Sequence, residues 1–487
     1  MRSRMNTPDS DLTSDSGAAG ALQRTISPFQ FLVFGFGSIV GTAWVVLLGV
    51  WLSQAGPGGA MVGIAFGGGA MALIAAMYAE LASRFPQTGG EVTYINAVFG
   101  KTPAFAVGWL LTLAYLSALV FEGVALAWLA EIIWPRINHP VLYSVLGEPI
   151  GLGGLLLALA SCVIIAVANY KGACAFVKFQ NVLTAAFLLV VFVAVVVELG
   201  FGSGANIQPL WQAADGGSWL IGAAWVFGCA PMMFNSFQSV LHTIEERSQA
   251  TSKDVVVRLC VVAVLAVMLF YLAIVLAAAR AAPWQSLASS DLPAVAALAH
   301  LPWVGALTNA LLLALIASLL KAWNSVFMTT VRLLFAQARD GMIPAVFGSV
   351  NPVTGAPDKA VIIVAGFNIA GLFLGKGILE PIVNTTSLCI ALIYALTCAA
   401  TLAVRRRDPH GAGFRVPGGY PVGILAIAAA LGMAAFALLL PAHAHQADTF
   451  KWILLLSWTL LGLGLYRMRN RGPRITPPTS GRLGIGP

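Results

Sequence analysis

The sequence predicts an all-α membrane protein with twelve transmembrane helices. Of its 487 residues, 59% are hydrophobic and only 9% are charged, and the mean hydropathy is +0.86. A soluble domain usually carries about 25% charged residues, so most of this apolar surface must face lipid. Its 50 glycines and 25 prolines are also typical of membrane helices, in which neighbouring groups satisfy the backbone that these residues free.

A helix that crosses the hydrocarbon core needs about 20 mainly apolar residues. Scanning for such runs predicts twelve spans, at roughly 29–53, 58–82, 103–134, 150–168, 174–200, 218–243, 255–280, 303–335, 360–375, 380–404, 420–441 and 449–467. The third and eighth are long enough to be tilted. The ninth is short, and its connection to the tenth is tight.

The distribution of basic residues predicts the orientation. Of the 27 Lys and Arg residues, 22 fall in segments on the N-terminal side of the membrane and four on the opposite side. By the positive-inside rule, both termini are then cytoplasmic and the number of spans is even. We therefore expect a disordered cytoplasmic tail at 1–28, a transmembrane domain at 29–467 and a basic cytoplasmic tail at 468–487. The polar N-terminus has no apolar signal-peptide core, and the expected location is the cell (inner or plasma) membrane.

Several classes of function are disfavoured by what the sequence lacks. The net charge of +8 comes from short segments between spans, without the basic stripe that indicates nucleic-acid binding. No phosphate-binding loop or metalloprotease motif is present, so no enzyme activity, cofactor or metal is expected. The cysteines lie in apolar runs and are interpreted as small buried residues. They are Cys162, Cys174, Cys229, Cys260, Cys389 and Cys398.

Helix-breaking residues interrupt the first and the sixth spans. The first contains Gly35, Gly37 and Gly41, and the sixth contains Gly228 and Pro231. Interrupted spans at corresponding positions of two halves indicate an inverted-repeat transporter. Unwinding frees backbone N–H and C=O groups, and the N-terminus of a half-helix attracts a carboxylate. The alternative is that the small residues serve only close helix packing.

Two charged residues lie near the centres of apolar spans, Glu122 in the third and Lys321 in the eighth. Each costs about 2.5–3.5 kcal/mol on insertion scales, so such residues usually face a cavity and have a partner. We expect them to form an ion pair or share a proton near the substrate cavity. The alternative is a pair that only joins two scaffold helices.

Four segments in order resemble the amino acid–polyamine–organocation permease superfamily. The sequence GSIVGTA at 37–43 resembles its substrate loop, and YAELASRFPQTGGEVTY at 78–94 resembles its AELxxxxPxxGGxYxY signature. FNSFQ at 234–238, followed by Glu245 and Glu246, is similar to FxGF[DE] followed by AEE. ARDGMIP at 338–344 and GAP at 355–357 resemble the segment after the eighth span. They occur in order between 37 and 357, so the resemblance spans most of the chain.

The resemblance implies a leucine-transporter-type fold, with 5+5 inverted repeats at about 29–200 and 218–404 and two additional helices within 420–467. It also implies a substrate site between the two broken spans. The residues implied to bind substrate are Ile39, Val40, Gly41, Thr42, Ala43, Phe234, Asn235, Ser236 and Gln238. Glu122 is also expected to bind substrate, because it lies in the middle of a span. Glu122 and Lys321 are the candidate coupling residues.

Three positions depart from the family pattern. Ala43 and Ser236 replace glycines, and Gln238 replaces an acidic residue. The mid-span lysine of some proton-linked members corresponds to Phe187, and we expect Lys321 to supply that positive charge, without sodium coupling.

The expected function is secondary transport of amino acids by alternating access, as proton-coupled uptake or exchange. Transport of polyamines or other organic amines is one alternative, and a non-transporting membrane sensor is another. The substrate's identity and the oligomeric state are left open.

Overall fold

The computed structural model describes residues 27–41, 43–85, 90–171, 175–213, 218–242, 252–351, 357–409, 413–439 and 445–469. Nearly all of them lie in helices that pack around an interior of large apolar side chains, with Trp51, Tyr78, Trp284 and Trp323 fully buried. The predicted all-α class is therefore confirmed. The tails predicted at 1–28 and 468–487 lie almost wholly outside the described residues, as does Cys174. The other five cysteines are buried, free thiols.

Sixteen α-helices and one short hairpin form the described part of the chain. The helices are α1 Pro28–Ile39, α2 Ala43–Arg84, α3 Gly90–Phe99, α4 Lys101–Ile133, α5 Leu152–Tyr170, α6 Ala175–Phe201, α7 Trp219–Met233, α8 Ser239–His242, α9 Lys253–Ala281, α10 Trp284–Ala288, α11 Pro293–Ala299, α12 Gly305–Arg339, α13 Asp358–Leu372, α14 Leu379–Arg407, α15 Gly419–Leu439 and α16 His445–Met468. Strands β1 (Val141–Val145) and β2 (Glu148–Gly151) pair antiparallel between α4 and α5.

Nine stretches of the described residues are helical, long and apolar enough to cross a membrane, and α1 and α7 are shorter apolar helices. Each of the twelve predicted spans overlaps a helix, but the helices are not twelve separate long rods. The range of α2 comprises two helical segments joined at a kink at Gly56, whose backbone is not helical (φ 63°, ψ 174°) and which lies in the predicted gap between the first and second spans. The ninth, α13, has only 15 residues. Apolar runs predict that a segment is buried in lipid, but they do not predict where its hydrogen-bond ladder is interrupted.

Several short elements were not predicted, because they have neither the length nor the composition of a span. They are α3, the hairpin of β1 and β2, and the helices α10 and α11. Of these, α3 bears on function, because it packs against α4 and α14.

Local signals explain where two of the helices begin. Ser27 and Gln30 form a capping box at the start of α1, with Pro28 in the first turn. Ser252 accepts a hydrogen bond from the Val255 amide at the start of α9. Such caps satisfy N–H groups that have no partner within the helix.

A row of glycines lets α2 approach α7 closely. Gly59, Gly63 and Gly67 follow one another at four-residue intervals on α2. A Cβ atom at Gly63 would lie 2.6 Å from the carbonyl oxygen of Ala223 on α7, and one at Gly67 would lie 2.8 Å from the Ala230 Cβ. Membrane helices associate through small residues of this kind because they allow backbone contact. The helix that leads into the second interruption is thereby held against α2.

A buried ion pair joins α2 to α14 at the end of the bundle that the charge distribution predicts to be cytoplasmic. Glu80 is fully buried, and its carboxylate accepts two hydrogen bonds from Arg405, one of them 2.6 Å long from Nε. The Val416 amide donates a third at 2.9 Å. Arg84 lies 3.8 Å from both Glu80 and Asp408. These contacts fix the ends of the two helices and the segment before α15.

The glycine row makes a testable prediction. Gly63→Ala places a methyl group against a backbone carbonyl that cannot move aside alone, and we expect it to lower the free energy of unfolding by about 1–3 kcal/mol. Gly69→Ala is the matched control, because nothing lies within 4 Å of a Cβ atom at that position. There we expect no loss, and a gain of up to about 1 kcal/mol from helix propensity. Equal effects of both variants on thermal unfolding in detergent would contradict the assigned packing.

Candidate functional site

The first interruption lies between α1 and α2. Helix α1 ends at Ile39, Val40 is extended (φ −74°, ψ 91°), and α2 begins at Ala43. The Val40 amide still bonds to the Phe36 carbonyl at 2.9 Å. Of the residues expected to bind substrate here, Ile39 and Val40 are buried, and Gly41 is partly exposed. Thr42 lies outside the described residues, and only the backbone of Ala43 is described. The start of α2 presents the free N–H groups of a helix N-terminus to this gap.

The second interruption follows α7. That helix ends at Met233, after Pro231, which cannot donate a hydrogen bond to the preceding turn. Ser236 adopts φ +74°, a left-handed conformation that is rare for residues other than glycine. The chain becomes helical again at α8, which starts at Ser239. The helix interruptions predicted in the first and sixth spans are therefore both present.

Side chains of α9 satisfy part of the backbone that the second interruption frees. The hydroxyl of Tyr271 donates to the Met233 carbonyl at 3.1 Å. The thiol of Cys260 donates to the Phe237 carbonyl at 3.5 Å. Buried carbonyl groups need such partners where water is excluded. The interruption is thus built into the packing of α9 and is not a frayed helix end.

The two interrupted segments contact each other. A Cβ atom at Gly35 in α1 would lie 2.7 Å from Cγ2 of Val240 in α8, so α1 and α8 touch at a glycine. The predicted residues at 39–41 and at 234–238 therefore belong to neighbouring segments. The two interruptions thus lie in the same region of the bundle.

Three aromatic rings close this region toward the Arg84 end of the bundle. The Phe237 ring lies 5.2 Å from that of Tyr78 and 5.5 Å from that of Tyr394, and the two tyrosine rings are 5.6 Å apart. All three side chains are at most 1% exposed. The Tyr78 hydroxyl donates to Thr397 at 3.1 Å. The second interruption thus rests on a closely packed aromatic cluster formed by α2, α14 and its own Phe237.

The side chain of Gln238, next to this cluster, is 3% exposed. Its amide nitrogen donates to Asn235 Oδ1 at 3.3 Å. Its Oε1 atom and the Tyr394 hydroxyl are buried with no hydrogen-bond partner among the described residues. Leaving a buried acceptor unmet costs about 1–3 kcal/mol, so a hydrogen-bond donor bound beside these two groups would stabilise the protein.

Glu122 and Lys321 lie on the packed helices α4 and α12. They are 8% and 6% exposed, and their charges interact electrostatically. A small cavity of about 20 Å³ is lined by Val45 of α2, Ala125 of α4 and Leu319 of α12, among others. Ala125 is one turn from Glu122, and Val45 lies in the first turn after the first interruption. The charged pair therefore belongs to the packed interface of α4 and α12.

Sequence reasoning assigned no role to two buried acidic residues, Glu80 and Glu91. Glu91 is 2% exposed in the first turn of α3, and both residues lie inside the quoted family-like segment at 78–94. The sequence feature that could have indicated Glu91 is its place between two glycines and a tyrosine, in a segment predicted to be a loop. The burial of Glu91 depends on the packing of α3, which the sequence does not reveal.

These features define a class of protein: a polytopic membrane protein with two adjacent interrupted helices and a polar interior beside them. Its family follows from comparison with known proteins. The family model for amino acid permeases matches residues 26–463, and the chain belongs to that family. The members to which it is similar are permeases and transporters, not enzymes.

Three relatives from Bacillus subtilis (strain 168) illustrate the range. A methylthioribose transporter is 28% identical over 82% of this chain and 85% of its own length. A branched-chain amino acid permease, BcaP, is 25% identical over 95% of this chain and 96% of its own length. An aspartate–proton symporter is 25% identical over 79% of this chain and 74% of its own length.

The left-handed backbone at Ser236 makes a testable prediction. Because a Cβ atom is disfavoured at positive φ, we expect Ser236→Gly to be more stable than Ser236→Ala by about 1 kcal/mol. Ser117 is buried in the regular helix α4 and is the matched control. There we expect the alanine variant to be more stable than the glycine variant by about 1 kcal/mol. Thermal unfolding of the four variants measures this. The same order at both positions would contradict the assigned interruption.

Proposed function

We propose that this protein is a secondary transporter that carries amino acids across the cell membrane by alternating access. The observation that carries the proposal is the pair of adjacent interruptions, at 40–42 and 234–238. Backbone groups left unpaired at membrane depth persist only where they are buried in protein or line a cavity. A zwitterion suits such a site, because free N–H groups attract its carboxylate and free carbonyls attract its ammonium group.

The proposed architecture has twelve spans, arranged as a 5+5 inverted repeat with two additional helices. The first repeat runs over about 29–200 and the second over about 218–404, with α15 and α16 added. Support comes from the order of the elements, since the interrupted segments α1–α2 and α7–α8 would each open one repeat. The distribution of basic residues supports cytoplasmic termini.

The proposed substrate residues are those at the interruptions, together with Glu122. They are Ile39, Val40, Gly41, Thr42, Ala43, Phe234, Asn235, Ser236 and Gln238. Glu122 and Lys321 form the proposed charged pair that couples occupancy of the site to conformation. Transport is then proton-coupled uptake or exchange, and the fixed positive charge of Lys321 makes sodium unnecessary.

Uptake by the purified protein in proteoliposomes tests the proposal. The compounds should include branched-chain amino acids, aspartate, polyamines and methylthioribose, because a relative named above or the sequence points to each. We expect saturable accumulation or exchange of at least one amino acid, without dependence on sodium. A protein that binds a compound in a thermal-shift screen but neither accumulates nor exchanges it would instead be a sensor.

A double variant separates the coupling role of the charged pair from a purely structural one. Glu122→Gln or Lys321→Met alone leaves a buried charge without its partner, which costs about 3–5 kcal/mol, so we expect both single variants to lose stability and transport. Glu122→Gln with Lys321→Met removes both charges and should regain stability. We expect the double variant to remain inactive. Wild-type transport rates in the stable double variant would show that the pair only joins two helices.

A further inference from the structure

The start of α4 and the end of α16 are joined on the side of the membrane that is predicted to be cytoplasmic. The hydroxyl groups of Thr102, in the first turn of α4, and Tyr466, in the last turn of α16, are hydrogen-bonded at 2.8 Å. The Tyr466 ring also packs against that of Phe105, with the ring centroids 4.5 Å apart. Neither the proposed substrate site nor the proposed coupling pair uses this part of the molecule.

A guanidinium group lies on the Tyr466 ring. Arg469 directly follows the last residue of α16, and its guanidinium carbon is 3.5 Å from the centre of that ring. Its Nη1 atom is buried and has no hydrogen-bond partner among the described residues. Stacking on a ring satisfies the flat face of a guanidinium group, whereas its N–H groups point outward in the plane and still need acceptors. Arg469 therefore holds an unpaired donor in a fixed orientation.

The chain around Arg469 is strongly basic. Arg467 and Lys101, the residue before Thr102, are both exposed. From 466 to 487 the sequence contains five arginines and no Asp or Glu. Basic clusters directly beside the end of a membrane helix, and basic pockets between such helices, bind anionic lipid headgroups. The charge at the ends of α4 and α16 is therefore suited to a phosphate group.

Two further features affect how strongly an anion is attracted here. Helix α4 begins after Gly100 without a side-chain cap, so its first N–H groups remain available to an anion. Asp340, at the end of α12, is the acidic residue whose charge acts on Lys101. Because Asp340 also lies 3.9 Å from Arg339, its negative charge is offset by that neighbour.

The part of α16 that leads to Arg469 has an exposed apolar surface. Leu460, Leu463 and Met468 are 60%, 51% and 71% exposed, and such side chains on a membrane helix face lipid. They lie within nine residues of Arg469, or about 14 Å along the helix. A phospholipid can place its phosphate at Arg469 and its acyl chains on this surface. Inorganic phosphate can use only the first of these contacts, so the surface favours a lipid.

We propose that the start of α4 and the end of α16 bind the phosphate headgroup of an anionic phospholipid. In this site Arg469 and Lys101 contact the phosphate oxygens, and the acyl chains lie along the exposed surface of α16. The hydrogen bond between Thr102 and Tyr466 holds the two helix ends together, and the Tyr466 ring fixes the plane of the guanidinium group. The site requires that the protein lies in a membrane, but it does not depend on what the protein transports.

Titration of the purified full chain in detergent with phosphatidylglycerol tests the proposal, because a bound lipid raises the unfolding temperature. We expect saturable stabilisation by phosphatidylglycerol and none by phosphatidylcholine or inorganic phosphate. Arg469→Gln should weaken the apparent affinity for phosphatidylglycerol about fivefold, which is the effect of one basic residue at an anionic surface. Arg407→Gln is the matched control, because Arg407 is exposed in the last turn of α14. That variant should stay within about twofold of wild type.

Four outcomes overturn the proposal. Equal stabilisation by phosphatidylcholine shows that lipid adheres without a headgroup site, and stabilisation by inorganic phosphate alone shows a site for a free anion. An equal loss of affinity in Arg407→Gln shows diffuse attraction by the whole basic surface. An Arg469→Gln protein that unfolds at a lower temperature but keeps the wild-type affinity for phosphatidylglycerol shows that the arginine serves only packing.

Lys101→Gln provides a second measurement that does not depend on whether Arg469→Gln folds. Lys101 is exposed, so its replacement leaves the packing of α4 intact. We expect its affinity for phosphatidylglycerol to fall about fivefold as well, and an unchanged affinity would contradict the assigned site. Neither measurement requires transport, so its result is independent of the uptake experiment that tests the proposed function.

Discussion

Everything in this structure depends on one constraint: a peptide group inside a membrane must have a hydrogen-bond partner. Each unsatisfied group costs several kcal/mol in hydrocarbon, so an interrupted helix survives only where protein groups replace the lost bonds. Tyr271 and Cys260 do this for the carbonyls of Met233 and Phe237. The interruption therefore requires α9 beside it, and the buried groups that remain unpartnered are available to a ligand.

The surrounding contacts determine which parts of the bundle hold together. The indole nitrogens of Trp109 on α4 and Trp458 on α16 donate to each other's carbonyl at 2.9 and 3.0 Å, with the rings stacked at 4.3 Å. Gln337 of α12 donates to the Gly108 carbonyl and the Thr112 hydroxyl of α4 at 3.3 and 3.0 Å. These paired bonds join α4, α12 and α16 firmly.

The sequence alone predicts the apolar spans well, because length and hydropathy are set by the bilayer. It also predicts the two interruptions, since Gly41 and Pro231 act on the local hydrogen-bond ladder. The predicted gap between the first two spans contains the kink at Gly56, where the backbone is not helical. The sequence does not predict Glu80 pairing with Arg405, which lies 325 residues away. Such pairs follow from the packing of distant helices, whereas helix breakers act within one turn.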